Sequence, residues 1–189
     1  DIVTGRRVVL GAPSPSRPAL PDAMRAASAV PLLYPPVRLG RRLLVDGAVS
    51  SSTNVDVAVE AGAELIIIAA PQSYEPDDPP SLQLRASKEL FHRRLQCELR
   101  AAERAGVKVL VIRPDAEEAA VHGLNLLRGD GHGEVADLSH RRAAQVLASP
   151  EGRAFCRSWR AANRATARRA ARDGRPAARP SRSLVRGDR

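Results

Sequence analysis

Apolar residues in this chain fall into short unbroken runs separated by longer amphipathic stretches, a pattern that alternates strand-like with helix-like segments. Residues 7–10 (Arg-Val-Val-Leu) read as a first strand, and the proline-rich stretch 12–21 as a loop that starts a helix over about 22–29, ended by Pro31. Residues 43–46 form a second strand. Asn54 or Thr53 then caps a short helix over 55–61, closed by Gly62. Residues 63–70 follow, apolar at every position from Leu65 to Ala70, which predicts a strand buried on both faces, as in a parallel sheet. After the polar loop 72–80, residues 81–105 predict a long helix with Leu84, Leu90, Leu95 and Leu99 on one stripe and Gly106 as its stop. Residues 107–112 are another apolar strand, so 63–112 form a strand-helix-strand unit with a right-handed crossover. Further helices are expected over 135–148 and 151–172, the latter ended by Asp173-Gly174. The fold class is α/β.

Charge changes this picture at one end. The 189 residues carry a formal net charge of +9, and residues 157–189 hold 11 Arg against 2 Asp, so residues 1–156 sum to zero. Beyond Pro176 the mix of Arg, Pro, Ser and Ala has too few large apolar groups to offset ordering entropy, and disorder is expected there. The organisation read from the sequence is a domain over 1–150, an Arg/Ala-rich helical extension over 151–175 and a basic tail over 176–189. Cys97 and Cys156 lack metal-ligand spacing and are read as reduced thiols. His92, His122, His132 and His140 have no partner at ligand spacing, so no metal site is expected. The longest apolar run is far short of the ~20 residues that span a bilayer, which excludes a transmembrane segment in this sequence and leaves a cytoplasmic location as the expectation.

The chemistry concentrates in Leu43-Leu44-Val45-Asp46-Gly47-Ala48-Val49, an apolar run that delivers one carboxylate to a glycine-containing turn ahead of Ser50-Ser51-Ser52-Thr53-Asn54. Upstream lie Asp1-Ile2-Val3-Thr4-Gly5-Arg6, Ala27-Ser28-Ala29-Val30-Pro31 and Tyr34-Pro35-Pro36, and downstream Ala61-Gly62-Ala63-Glu64-Leu65. Taken in this order, over about half of the chain, these motifs resemble the second half of the patatin-like phospholipase domain, with Asp46-Gly47-Ala48 similar to its Asp-Gly-Gly/Ala motif. The resemblance implies a three-layer α/β/α fold that is incomplete here, the nucleophile-bearing N-terminal half being absent. It also implies a Ser-Asp dyad that hydrolyses lipid esters through an acyl-serine intermediate, with no metal or organic cofactor. The family's Gly-x-Ser-x-Gly elbow is not in the sequence, and the nearest look-alike, Gly11-Ala12-Pro13-Ser14-Pro15, has prolines where the elbow needs strained backbone. Because the chain opens on Asp1, a fragment of a longer protein is expected.

Within that resemblance Asp46 is the dyad base, taking the serine proton and returning it to the leaving alcohol, while Asp46-Gly47 as an ordinary turn is the alternative. Flanking Leu43, Leu44 and Val45 are expected to withdraw water from the carboxylate. Gly47 is expected to keep the backbone close to the missing elbow, and Ser28 and Asn54 to stand at the site wall. Helix-end packing at Ser28 and capping at Asn54 explain the last two without any ligand, and that is the stronger reading. Val55-Asp56-Val57 departs from the family's proline-containing pattern after Asn54, which weakens any transfer of fine specificity. The loop Gly129-Asp130-Gly131-His132-Gly133 lacks the Lys-Ser/Thr of a phosphate loop and reads as an ordinary loop. The expected partner is a lipid ester substrate, with peripheral membrane contact through the Arg-rich tail. With aromatics at 3% of the chain, no specific nucleic acid is expected. The other reading is a catalytically dead remnant that acts as an interaction module, binding anionic lipid or nucleic acid through that tail.

Overall fold

The computed structural model describes residues 1–11, 18–123 and 131–172. Most of the proline-rich loop and of the Gly11–Pro15 look-alike, the start of the Gly129–Gly133 loop and the tail 176–189 lie outside the described residues. Helix α1 (Leu20–Ala27) opens with Pro21 in its first turn and ends at Ser28. Strands β1 (Val37–Leu39) and β2 (Arg42–Leu44) then form an antiparallel hairpin with Val37 opposite Leu44. Gly40 opens its two-residue turn at φ 58°, a left-handed value that glycine adopts without strain. A 3₁₀ turn (Gly47–Val49) leads to helix α2 (Val55–Glu60).

Strands β3 (Leu65–Ala69) and β4 (Lys108–Ile112) pair in parallel, Leu65 with Lys108 through Ala69 with Ile112, and helix α3 (Leu82–Arg104) makes the crossover. Gly106, at φ 73°, takes the left-handed position just past the end of α3. Val55, Ile68, Ala70, Leu95 and Ala102 form the core, joining α2, β3 and α3, with Val109 and Val111 of β4 packed against it. Helix α4 (Ala116–His122) is capped by Asp115, whose carboxylate accepts the Glu118 amide at 2.9 Å. Helices α5 (His132–Ala148) and α6 (Pro150–Arg172) pack on each other and on β4.

The alternation of strand and helix is that of an α/β fold, and several sequence expectations need correction. Residues 7–10 are not a strand, because no neighbouring strand among the described residues offers them a hydrogen-bonding edge. The second strand is Arg42–Leu44, ending before Asp46, and it pairs with β1, which the sequence pattern did not disclose. β3 is not buried on both faces: Ile68 is buried while Ile67 is 47% exposed. Leu110, the register partner of Ile67 on the face away from α3, is buried where α5 and α6 pack on β4, so that face is covered over β4 and open over β3 among the described residues. The buried seam of α3 is Lys88, Leu95 and Ala102, at seven-residue spacing, while Leu90 points outward. Lys88 tolerates that position because its Nζ donates to the Pro71 carbonyl at 2.7 Å, although burial pulls its pKa down.

Candidate active site

Asp46 leaves β2 and enters the 3₁₀ turn, so its side chain is at the N-terminal end of that turn. Its Oδ1 accepts the Ala48 amide at 2.8 Å, and its own amide donates to the Ala29 carbonyl, at the end of α1, at 2.9 Å. A local bond thus fixes the half-buried carboxylate, and a bond to an element remote in sequence fixes the backbone that carries it. Among the described residues Oδ2 has no hydrogen-bond partner. A carboxylate with one oxygen tied to the backbone and the other unengaged is oriented without being consumed, the geometry a general base requires.

Asp46 lines a cavity of about 520 Å³ together with Gly47, Ser50, Asn54 and Arg7. The remaining wall is mostly apolar, with Val8, Val9 and Leu10 from the N-terminal segment, Ala26 and Ala27 from α1, and Leu44 and Val57. A hydrophobic cleft with a few converging polar groups suits a small amphipathic ligand. Ser50 follows the 3₁₀ turn in ordinary right-handed helical backbone, φ −87° and ψ −53°, unlike a nucleophile elbow. At Gly47 a Cβ would meet no atom within 4 Å, so nothing among the described residues crowds that backbone.

Asn54 stands on this cavity but does not cap α2 with its side chain. It occupies the N-cap position in left-handed backbone, φ 49° and ψ 39°, while its amide group donates to the Ser51 carbonyl at 3.0 Å and its Oδ1 accepts from Arg7 at 3.2 Å. Ser28 is elsewhere: it lines a neighbouring cavity of about 610 Å³ with Arg25, Tyr34, Pro35, Pro36 and Arg38. Asp46, Gly47 and Asn54 are therefore brought together, Ser28 apart from them, and Ala48 serves through its amide.

Arg7 is the residue that sequence reasoning missed. Its guanidinium grips Asp56 of α2 with both terminal nitrogens and reaches Asn54, tying the N-terminal segment over the cavity. The hydrogen bond from Arg7 holds the Asp56 carboxyl below its ordinary range, and the same bond raises the Arg7 pKa. No motif marks such a pair, whose members are 49 positions apart. From below, α3 braces the turn: Arg94 donates to the carbonyls of Val49 and Ser50 at 2.6 and 3.0 Å, and Ser51 and Thr53 both donate to Glu98.

A second constellation also escaped the sequence. Ser73 Oγ lies 2.9 Å from His92 Nδ1, within nucleophile-to-base reach, beyond the C-terminal end of β3. Ser73 is only 2% exposed, and the His92 ring is stacked on Tyr74 at 4.2 Å. A substrate carbonyl has no access to that hydroxyl, so the pair is read as a packing contact. Among the described residues no cluster of three or more His, Cys, Asp and Glu stands at metal-binding geometry, and no helix is long and apolar enough to cross a membrane.

Residues 2–59 match the family model of the patatin-like phospholipases. The matched span runs from the N-terminal segment through α1, the hairpin and Asp46 to α2, so every residue that lines the 520 Å³ cavity except Asp1 lies inside it. The β3-α3-β4 unit and the helices that follow lie beyond it.

Proposed function

We propose that this chain contributes the base-bearing part of a patatin-like serine acyl hydrolase, with Asp46 as the carboxylate of a Ser-Asp dyad. The observation that carries this reading is Asp46 itself. It heads an apolar cavity inside the family-matched span, with one oxygen held by the Ala48 amide and the other unengaged among the described residues.

In the reaction, Asp46 accepts the proton of an attacking serine hydroxyl as the oxygen adds to the ester carbonyl. It then returns that proton to the departing alcohol, leaving an acyl-serine that water hydrolyses by the same relay. The substrate class is a lipid carboxylic ester, whose chain the apolar walls from Val8 to Leu10 and from Ala26, Leu44 and Val57 accommodate. The sequence holds no Gly-x-Ser-x-Gly motif, so the nucleophile belongs to a segment outside this sequence. That segment packs beside Gly47, where no described residue crowds the backbone, and its strands extend the sheet from the edge of β3 that β4 does not pair, toward a three-layer α/β/α arrangement.

The test has two arms. The chain by itself should hydrolyse no ester and take no label from a fluorophosphonate probe. In the complete parent enzyme, Asp46→Asn should lower turnover by at least ~10²-fold, the lower end for a positioned general base, with substrate binding retained. Near-normal turnover in that variant would remove Asp46 from the mechanism.

A further inference from the structure

Between Asp22 and Asp46 the chain carries four arginines, Arg25, Arg38, Arg41 and Arg42, and no carboxylate. Arg25 and Arg38 flank an apolar turn that links α1 to β1, and Arg41 and Arg42 follow at the tip of the β1-β2 hairpin. Leu32 is at its tip, 104% exposed, with Leu33 and Tyr34 each 56% exposed beside it. The turn is held in shape, since the amides of Leu33 and Tyr34 both donate to the Val30 carbonyl, at 3.2 and 2.9 Å. Leu32 adopts φ 72°, a left-handed conformation that costs a side chain with a Cβ.

Leu32 therefore carries backbone strain and full exposure of an apolar side chain at once, and no contact among the described residues compensates either. Arg38, Arg41 and Arg42 are exposed and make no ion pair among the described residues, and Arg25 meets only Asp22, at 3.3 Å on the surface. Arg25, Tyr34 and Arg38 border the same 610 Å³ cavity, so the aromatic ring and two of the cations are neighbours.

We propose that the turn Leu32-Leu33-Tyr34, flanked by Arg25 and Arg38 and backed by Arg41 and Arg42 at the adjoining hairpin tip, anchors the protein on an anionic lipid surface. The physical arrangement suits a bilayer more than a protein. A single convex turn offers far less than the ~800 Å² per partner of a stable protein interface, and a second copy would bring its own arginines against these. A bilayer accepts a convex apolar tip, with leucines entering the acyl region, tyrosine at the headgroup level and arginines on the phosphates. The anchor is separate from the basic stretch after residue 172, and it does not depend on the role of Asp46.

The experiment is flotation of the full chain with vesicles of phosphatidylcholine alone and of phosphatidylcholine mixed with phosphatidylglycerol. The chain should partition onto the mixed vesicles in preference to the neutral ones. Leu32→Gly should reduce that partitioning by about tenfold, the loss expected from one buried leucine side chain, while its melting temperature rises because glycine relieves the left-handed strain. The opposite signs keep misfolding from imitating the result. Neutralising Arg38, Arg41 and Arg42 together to Gln should weaken binding by about fivefold per arginine at low salt. A Tyr34→Trp reporter in a Trp159→Phe background should shift to the blue on the mixed vesicles. Absence of binding, Leu32→Gly partitioning like the parent, or an unshifted reporter on bound protein would each overturn the proposal, the last two by assigning membrane contact to another surface.

Discussion

The carboxylate of Asp46 accepts the amide of Ala48 at 2.8 Å, so the proposed catalytic base is also the N-terminal cap of the 3₁₀ turn that follows it. The two roles separate by substitution. Asn keeps an acceptor oxygen for the Ala48 amide, so Asp46→Asn should leave the melting temperature of this chain nearly unchanged. Ala removes it, and Asp46→Ala should cost ~1 kcal/mol, as loss of a side-chain cap does. Chemical denaturation of the two variants side by side checks this, and equal destabilisation would deny the capping role.

Arg7 and Asp56 supply a prediction about the N-terminal segment. Both side chains are partly exposed, so solvent screening limits the pair to ~1 kcal/mol or less, and the larger effect of Arg7→Ala should be local. Hydrogen exchange should accelerate across residues 1–10, which have no strand pairing of their own. The sign with pH follows from Asp56, whose carboxyl is held below 3.8 by the hydrogen bond from Arg7. Its contribution is complete above that value and is lost as pH falls through the lower folded-state value. Arg7→Ala should therefore cost less near pH 3, on the order of one unit below the ordinary carboxyl value, than at neutrality.

His92 and His122 act in the other half of the molecule. Burial lowers the pKa of each ring below 6.5, aided by the charge of Arg113 at His92 and of Lys88 at His122, against opposing contributions from Glu89 and Glu118. The folded protein thus keeps both rings neutral where the unfolded chain takes up protons. The unfolded state binds more protons as pH drops below about 6.5, so stability should fall on acidification from there. A double His92→Gln, His122→Gln variant should show a flatter melting temperature between about pH 7 and 5.5, the range in which free imidazole titrates.

Gly152 sits where α6 turns against the end of α5. A Cβ there would lie 2.0 Å from the Val146 carbonyl oxygen and 2.8 Å from the Leu147 backbone, atoms that cannot move aside without displacing α5. Gly152→Ala should destabilise the protein by ~3 kcal/mol, at the upper end for overpacking. Gly133, in the first turn of α5, has no described atom within 4 Å of an added Cβ. Gly133→Ala should add about 0.5 kcal/mol, from reduced freedom of the unfolded chain. Equal effects at the two sites would show that the α5-α6 contact is not close-packed in solution.

What the sequence by itself determined about this protein is what neighbours along the chain can encode. The span of α3 follows from helical periodicity and its Gly106 stop, α6 from its Ala and Arg content, and the runs at 65–69 and 109–112 from their unbroken apolar character, while α5 begins at His132, inside the stretch read as a loop. Asp46 at a glycine turn was legible for the same reason. Tertiary structure decided the rest. Residues 7–10 have strand composition but found no edge to pair with, while the three-residue strands β1 and β2 are too short to show a period and exist through each other. Lys88 lies on the buried seam and Leu90 off it, because the Pro71 carbonyl accepts one ammonium and only one helix face meets the sheet. The cavity wall that unites Asp46, Asn54 and Arg7 needs contacts across up to 47 residues. Local pattern carries conformational preference, whereas the meeting of such groups depends on which surfaces are left to pack once the elements have formed.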